Sequence, residues 1–322
     1  MKAIRVHELG GPEVMRLEEL ADPAPGPGEA LVRVEAAGVN YIDTYHRTGL
    51  YPKELPFTPG LEGAGTVEAV GAEAGEVSPG DRVAWTDAPG SYAEYVVAPA
   101  RRLVPLPDEI GTGLGAAIML QGMTAHYLAV DTFPVGESSR VLVHAAAGGV
   151  GLLLTQICKM HGAYIFGTVS TSDKAKLAME AGCDRPIRYT EEDFAEVISR
   201  ETHGSGVDVV YDSVGRTTIL QSMDCLRRRG MLVSFGQSSG KIEPLDLGIF
   251  SRKGSLFFTR PSLMHYVAED HELHERAAAV LEWVRSGRLQ VRIGETWPLG
   301  EAAHAHERLQ GRRTAGKVLL KP

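Results

Sequence analysis

Over the first 120 or so positions, apolar residues fall in short runs that alternate with polar ones and are cut by glycine and proline. The segments at 31–34, 65–70, 81–85 and 92–97 read as short strands. Between them lie clusters such as Pro23-Ala24-Pro25-Gly26-Pro27-Gly28 and Ser78-Pro79-Gly80-Asp81. Proline presets φ and glycine tolerates sharp reversals, so these clusters read as turns and the whole stretch as an all-β, barrel-like module. From 113 to 127 the spacing becomes helical. Past Arg140, Val-rich segments at 141–144, 164–169, 187–189, 207–211, 231–235 and 255–259 alternate with helix-period segments at 151–160, 174–181, 191–200 and 217–228. Near-continuous apolar strands, each followed by a helix, predict an α/β domain with a doubly wound parallel sheet covered on both faces. Beyond Arg260, the positions Leu273, Ala277, Val280, Leu281 and Val284 line one face of a further helix. The last stretch, 291–322, reads as short strands around a helix at 301–309 that returns to the first module.

The segment Ala145-Ala146-Ala147-Gly148-Gly149-Val150-Gly151 joins the first Val-rich strand to the helix after it. A βαβ unit places a dinucleotide pyrophosphate at such a turn. Glycines let the backbone approach the ligand, and the helix N-terminus offers unpaired N–H groups and a partial positive charge. An NAD site usually carries a carboxylate at the end of the second strand, about 20 residues on, to bind the ribose 2′-OH. Here that strand ends Thr168-Val169-Ser170, followed by Thr171-Ser172-Asp173-Lys174. A neutral hydroxyl at Ser170 with an ammonium at Lys174 favours a 2′-phosphate, and so NADPH.

Composition narrows the classes. With 43% hydrophobic and 23% charged residues and a net charge of −8, the chain has the balance of a globular enzyme, and nothing draws it to nucleic acid or anionic lipid. The N-terminus alternates like a strand and no apolar run approaches membrane-spanning length, which predicts a cytoplasmic protein. Three cysteines, Cys158, Cys183 and Cys225, match neither a zinc knuckle nor a disulfide framework. His271 and His274 stand three apart in a run of acidic residues, which reads as a solvated helix face and not as a zinc-binding pair.

Several separated motifs carry a resemblance: 36–43 (Ala-Ala-Gly-Val-Asn-Tyr-Ile-Asp), 59–65 (Pro-Gly-Leu-Glu-Gly-Ala-Gly), Gly80-Asp81-Arg82-Val83, 145–151 with Gln156 and Lys159, and 209–215 (Val-Val-Tyr-Asp-Ser-Val-Gly). In this order they resemble the zinc-independent quinone oxidoreductases, the zeta-crystallin-like branch of the medium-chain dehydrogenase/reductase superfamily, over essentially the whole chain. The resemblance implies a GroES-like β-barrel domain at 1–122 and 261–322 and a Rossmann NADP-binding domain at 123–260. The zinc-dependent alcohol dehydrogenases of that superfamily have Cys where this chain has Asn40 and Gly-His-Glu where it has Gly60-Leu61-Glu62. They also carry a four-cysteine lobe where it has only 84–91. Amide and alkyl groups do not replace thiolate and imidazole, so no zinc is expected and Glu62 is given a structural role.

By the same resemblance, Asn40 and Tyr45 lie near the nicotinamide and Tyr51 offers an aromatic wall to a flat substrate. Gln121, where the family often has Lys, and Thr124 stand where the β module meets the following helix. Ala147, Gly148, Gly149, Val150 and Gly151 hold the pyrophosphate, with Phe235 and Ser238 at a strand C-terminal end. Ser170, Lys174, Tyr189 and Arg312 hold the adenosine and its 2′-phosphate, Arg313 being an alternative to Arg312. A quinone is already electron-poor and spreads the charge it gains over a conjugated ring, so oriented hydrogen bonds suffice in place of a Lewis acid. The expected activity is direct transfer of reducing equivalents from NADPH to a quinone without flavin. Two alternatives stand beside it: an NADPH-dependent reductase of enones or enoyl thioesters, with Tyr45 as proton donor, and a non-catalytic, crystallin-like nucleotide binder with secondary affinity for RNA. The edge strand at 255–259 resembles the one through which this family forms homodimers.

Overall fold

The computed structural model describes residues 1–322. Two compact units emerge, one formed by Met1–Met123 with Val267–Pro322 and the other by Thr124–Tyr266.

The first unit opens with β1 (Lys2–Val6) paired antiparallel to β2 (Met15–Glu19). Its central strand is β3 (Glu29–Val39), followed by a helix, α1 (Tyr41–Arg47), and by β4 (Glu62–Val70), β5 (Arg82–Trp85), β6 (Tyr95–Pro99) and β7 (Val104–Pro105). β3 pairs antiparallel with both β4 and β6, β4 with β5, and β5 with β7. Inward positions of these strands, among them Val32, Val34, Val67, Val83, Trp85 and Val96, form one apolar core. The helix α1 interrupts what the hydrophobic pattern predicts as purely β. Its cause is local: Asn40 is extended, and the Asp43 carboxylate three residues on accepts the Asn40 N–H at 2.8 Å, satisfying a donor at the helix start.

A helix α2 (Thr112–Tyr127) contains the boundary between the units. The second unit then runs β8 (Arg140–Val143), α3 (Gly149–Met160), β9 (Tyr164–Val169), α4 (Ser172–Glu180), β10 (Arg185–Arg188), α5 (Phe194–Glu201), β11 (Val207–Asp212), α6 (Ile219–Asp224), β12 (Leu226–Ser234), α7 (Gly248–Arg252), β13 (Phe257–Thr259) and α8 (Leu263–Tyr266). All six strands are parallel, in the order β10-β9-β8-β11-β12-β13. The strand order reverses between β8 and β11, and in open α/β sheets ligands bind beyond the strand C-termini at that reversal. Two helices are shorter than their apolar spacing predicts. α5 starts only at Phe194, because the Asp193 side chain caps it by accepting from the N–H groups of Ala195 and Glu196. α6 stops at Asp224 because Leu226 already pairs with Val207, and the strand it begins continues across a register shift through Arg227–Arg229.

The chain ends in the first unit with α9 (Asp270–Arg285), β14 (Ile293–Pro298), α10 (Ala302–Gln310) and β15 (Lys317–Lys321). α9 buries Leu273, Ala277, Val280 and Leu281, with Val284 half-buried at its end, so the predicted apolar face is the observed one. β15 lies antiparallel to β3 and parallel to β14, which makes the tail a structural part of the barrel-like sheet.

Candidate functional site

In the second unit the segment after β8 makes the predicted tight turn. Ala145 takes a left-handed φ of 52°, its carbonyl accepts the Gly148 N–H at 2.8 Å, and α3 begins at Gly149 with no side-chain cap. A Cβ on Gly151 would stand 2.2 Å from the Ala145 carbonyl oxygen, so only glycine lets the first helical turn close on the loop. The N–H groups of that turn have no partner within the helix and are offered at the switch point of the sheet. The residues present therefore fit the pyrophosphate of a dinucleotide, with Ala147, Gly148, Gly149, Val150 and Gly151 as its cradle.

The turn is held from below by a buried polar network. His144 contacts Thr168 Oγ1 and Ser222 Oγ at 2.9 Å each, and Ser222 donates to Asp212 at 3.0 Å. Burial lowers the His144 pKa, against the pull of Asp212. Thr168 in turn accepts the Ala146 N–H through its carbonyl at 3.0 Å, which ties the end of β9 to the Gly-rich turn. Just beyond β9, Ser170 and Lys174 are half-buried, and Thr171 caps α4 by accepting the Lys174 N–H. Asp173 is turned outward: its carboxylate is 91% exposed and pairs with Lys176 at 3.4 Å. Tyr189 follows β10, 39% exposed, its N–H on the Val169 carbonyl, which places it beside the end of β9. Phe235 and Ser238 follow β12, donating their N–H groups to Asp212 O and Ser213 O at 3.0 and 3.1 Å. Thr124 is buried in α2.

In the first unit, Asn40, Glu62 and Gln121 meet, together with a residue that the apolar pattern does not single out, Lys317. Glu62 is fully buried. Its Oε2 accepts from Asn40 Nδ2 at 2.7 Å and from Lys317 Nζ, while its Oε1 accepts the Leu120 N–H at 2.7 Å. Asn40 Oδ1 accepts from Lys317 Nζ at 2.9 Å and from Gln121 Nε2 at 3.0 Å, and Asn40 Nδ2 also reaches the Gly38 carbonyl at 3.2 Å. The Asn40 amide thus spends its donors and its acceptor oxygen inside this unit. Burial pushes the Lys317 ammonium down from its ordinary value, and the Glu62 carboxylate pulls it back up. The one signal for Lys317 in the chain is a lone charge opening the apolar run Val318-Leu319-Leu320. A buried cation needs a buried anion, and Glu62 supplies it from 255 positions away.

Tyr45 is buried on α1, its ring 5.7 Å from Tyr41 and 5.1 Å from Tyr51, so Tyr51, expected to offer an aromatic wall, sits in a cluster of three tyrosines. Arg312 follows α10 with a left-handed φ of 56°; its charge acts on the Tyr41 phenol, and Arg313 beside it is equally exposed. Behind α1 runs a second polar chain. Arg47 donates to Nδ1 of His306 at 3.1 Å, His306 Nε2 meets the Tyr92 hydroxyl at 3.0 Å, and Tyr92 donates to Asp43 at 3.0 Å. Burial raises the Asp43 carboxyl to about 7 and lowers the His306 imidazole to about 3, the latter with help from Arg47. No group of three or more His, Cys, Asp or Glu could hold a metal ion, and no helix is long and apolar enough to cross a membrane.

A barrel-like unit with a parallel dinucleotide-binding unit defines a class of two-part oxidoreductases, and the family models agree. Residues 26–108 match the alcohol dehydrogenase GroES-like domain and residues 149–285 the zinc-binding dehydrogenase model. The quinone oxidoreductase of Pseudomonas aeruginosa is 44% identical over 323 residues, spanning 100% of this chain and 99% of that protein. The structure of the Escherichia coli quinone oxidoreductase complexed with NADPH superposes with a TM-score of 0.98 at 42% identity, covering 100% of both chains. A 2-haloacrylate reductase from a Burkholderia species is 42% identical over 328 residues, 98% of each chain. The chain belongs to the quinone oxidoreductase family of the medium-chain dehydrogenase/reductase superfamily.

Proposed function

We propose that this protein is an NADPH-dependent quinone reductase that passes reducing equivalents directly to its substrate, without zinc or flavin. The observation that carries the reading is the uncapped α3 N-terminus, closed against the Ala145 carbonyl by Gly151 at the switch point of the sheet. NADPH, when bound, supplies the reducing equivalents. The chain binds its pyrophosphate at 147–151 and its adenosine 2′-phosphate with Ser170, Lys174, Tyr189 and Arg312, Asp173 being turned away towards Lys176. Phe235, Ser238 and Thr124 complete the cofactor contacts. The Tyr45 and Tyr51 rings give a planar acceptor an aromatic surface, and Tyr45 and Gln121 orient polar groups of the reactants. Asn40 acts through its neighbours, since its amide is already engaged. An ammonium at Lys317 and an aliphatic Leu61 leave no donor set for zinc in this part of the unit. The reading includes a domain division at 1–122 with 261–322 and at 123–260, cytoplasmic action, and a homodimer formed through β13, whose Phe257 and Phe258 are exposed at the sheet edge.

One observation favours a second substrate class: the Burkholderia relative is a 2-haloacrylate reductase. An electron-poor alkene next to a carbonyl ends its reduction with protonation at carbon, a role that the Tyr45 phenol would take. Following NADPH oxidation with 1,4-benzoquinone, with an α,β-unsaturated carbonyl compound and with neither decides the matter. Turnover with benzoquinone supports the quinone reading, turnover with the alkene alone replaces it, and turnover with neither removes both. Size-exclusion with light scattering tests the homodimer.

A further inference from the structure

Hydrogen-bond polarity in the Asn40 cluster runs one way. The Glu62 carboxylate can only accept, and the Gly38 carbonyl beside it can only accept, so the Asn40 amide must turn its NH₂ towards them. Its oxygen then faces Lys317, which can only donate. With that oxygen already fixed as an acceptor, Gln121 approaches through Nε2. The Gln121 carbonyl oxygen is what remains: it is buried from solvent and has no hydrogen-bond partner. Leaving a buried acceptor unmet costs about 1–3 kcal/mol, which a donor arriving with a ligand would recover.

We propose that Gln121 Oε1 accepts a hydrogen bond from the nicotinamide riboside half of NADPH, through its carboxamide N–H or a ribose hydroxyl, and that Glu62 and Lys317 are positioning residues that hold both amides in this polarity. The inference rests on the NADPH reading above and deepens it. An oxidised quinone is not the occupant, because its oxygens only accept. The relay also gives the Glu62–Lys317 pair a purpose beyond neutralising charge. A carboxylate only accepts and an ammonium only donates, and neither reverses by rotation, so together they dictate which way two flippable amides point.

The test is a set of binding titrations on the full-length wild type, Gln121→Met and Glu62→Gln. The probes are NADPH, the reduced 3-acetylpyridine analogue, in which a ketone replaces the carboxamide, and 2′,5′-ADP, which lacks the riboside. Gln121→Met is expected to weaken NADPH by about 5- to 10-fold, as for one lost hydrogen bond, and to leave 2′,5′-ADP within about twofold. Glu62→Gln lets the Asn40 amide face either way, so it weakens NADPH with the same ligand selectivity, and the double variant is no weaker than Gln121→Met alone. If the carboxamide is the donor, the wild type discriminates against the acetylpyridine analogue and Gln121→Met does not. If a ribose hydroxyl is the donor, both proteins lose the same factor on going to the analogue. Unchanged NADPH affinity in Gln121→Met, or an equal loss for 2′,5′-ADP, overturns the proposal. A wild type that binds neither nucleotide overturns the NADPH reading itself, before Gln121 enters. Should Glu62→Gln fail to fold, the Gln121→Met titrations decide alone.

Discussion

The two units bury polar groups in opposite styles. The first unit carries ions into its interior: Glu62 with Lys317, and Arg47 leading through His306 and Tyr92 to Asp43. The second unit relies on backbone geometry and on a buried network, His144 with Thr168, Ser222 and Asp212, in which only Asp212 is a carboxylate. A turn that binds phosphate with backbone N–H groups needs a rigid, close-packed frame and small residues. A site that must hold side-chain amides in one orientation needs fixed charges behind them, and the first unit supplies these at a higher risk to its stability.

That contrast is broken most sharply at Lys317. Lys317→Met removes one half of a buried pair and leaves the Glu62 carboxylate desolvated without its cation, which costs about 3–5 kcal/mol. Lys174→Ala in the second unit removes a half-buried ammonium at the start of a helix and leaves stability within about 0.5 kcal/mol. Chemical denaturation of the two variants checks the contrast; equal midpoint shifts would abolish it. Replacing both members of the pair, as Glu62→Gln with Lys317→Met, recovers part of the loss if the unpaired charge, and not lost packing, is its source.

The α1 end of the first unit sharpens the comparison through pH. Asp43 titrates near 7 in the folded chain, above its ordinary 3.8, so the folded state binds more protons than the unfolded one between these values and stability falls as pH rises through that window. His306 titrates near 3, below its ordinary 6.5, so the unfolded state binds more protons there and stability falls as pH drops through 6.5. Over pH 5 to 7 the two effects oppose each other, each on the order of 2 kcal/mol. These two contributions nearly cancel across this range, and Asp43→Asn removes one side of the balance, so the variant loses more stability than the wild type on going from pH 7 to pH 5, by about that amount. Denaturation midpoints of both proteins at the two pH values measure it; a variant whose midpoint changes with pH as the wild type's does refutes the assignment.

These differences in style also explain what was legible in the chain. The second unit announces itself, because Val141-Leu142-Val143, the glycines at 148, 149 and 151 and the recurrent strand-helix alternation are local signals that survive without a partner. Its errors are at ends, where Asp193 and Leu226 answer to a cap and to a neighbouring strand. In the first unit the strands are legible and the chemistry is not. Asn40 stands out by its resemblance, but its engagement with Lys317 joins positions at opposite ends of the chain, and no periodicity encodes a pair so far apart. The short helix α1 is hidden for a similar reason, since Asn40 and Asp43 form a helix-start signal inside a stretch dominated by strands.

Nucleotide selectivity comes next in size. With Asp173 drawn off to Lys176, Lys174 is the cation of this segment that starts half-buried next to Ser170. A charge-assisted contact to a phosphate is worth about 1.5–3 kcal/mol, so Lys174→Ala weakens NADPH about 10- to 100-fold and NADH much less. Fluorescence titration with both nucleotides measures the ratio, and equal losses would remove Lys174 from the phosphate site.

The smallest effect is expected from a chelator, and its reason lies in the first unit. Where the zinc-dependent relatives of this fold use a thiolate and an imidazole, this chain has the Asn40 amide and the Leu61 alkyl group, and the Asn40 oxygen is held by an ammonium. A divalent cation there would have to displace Lys317 from Glu62 and face its ammonium in a buried setting, against which two weak oxygen donors offer little. Prolonged dialysis against EDTA, followed by elemental analysis and assay of NADPH oxidation, is expected to leave activity unchanged and to find no stoichiometric zinc before treatment. Loss of activity that returns on adding zinc would show that the ammonium is not the only positive charge this cluster has been shaped to hold.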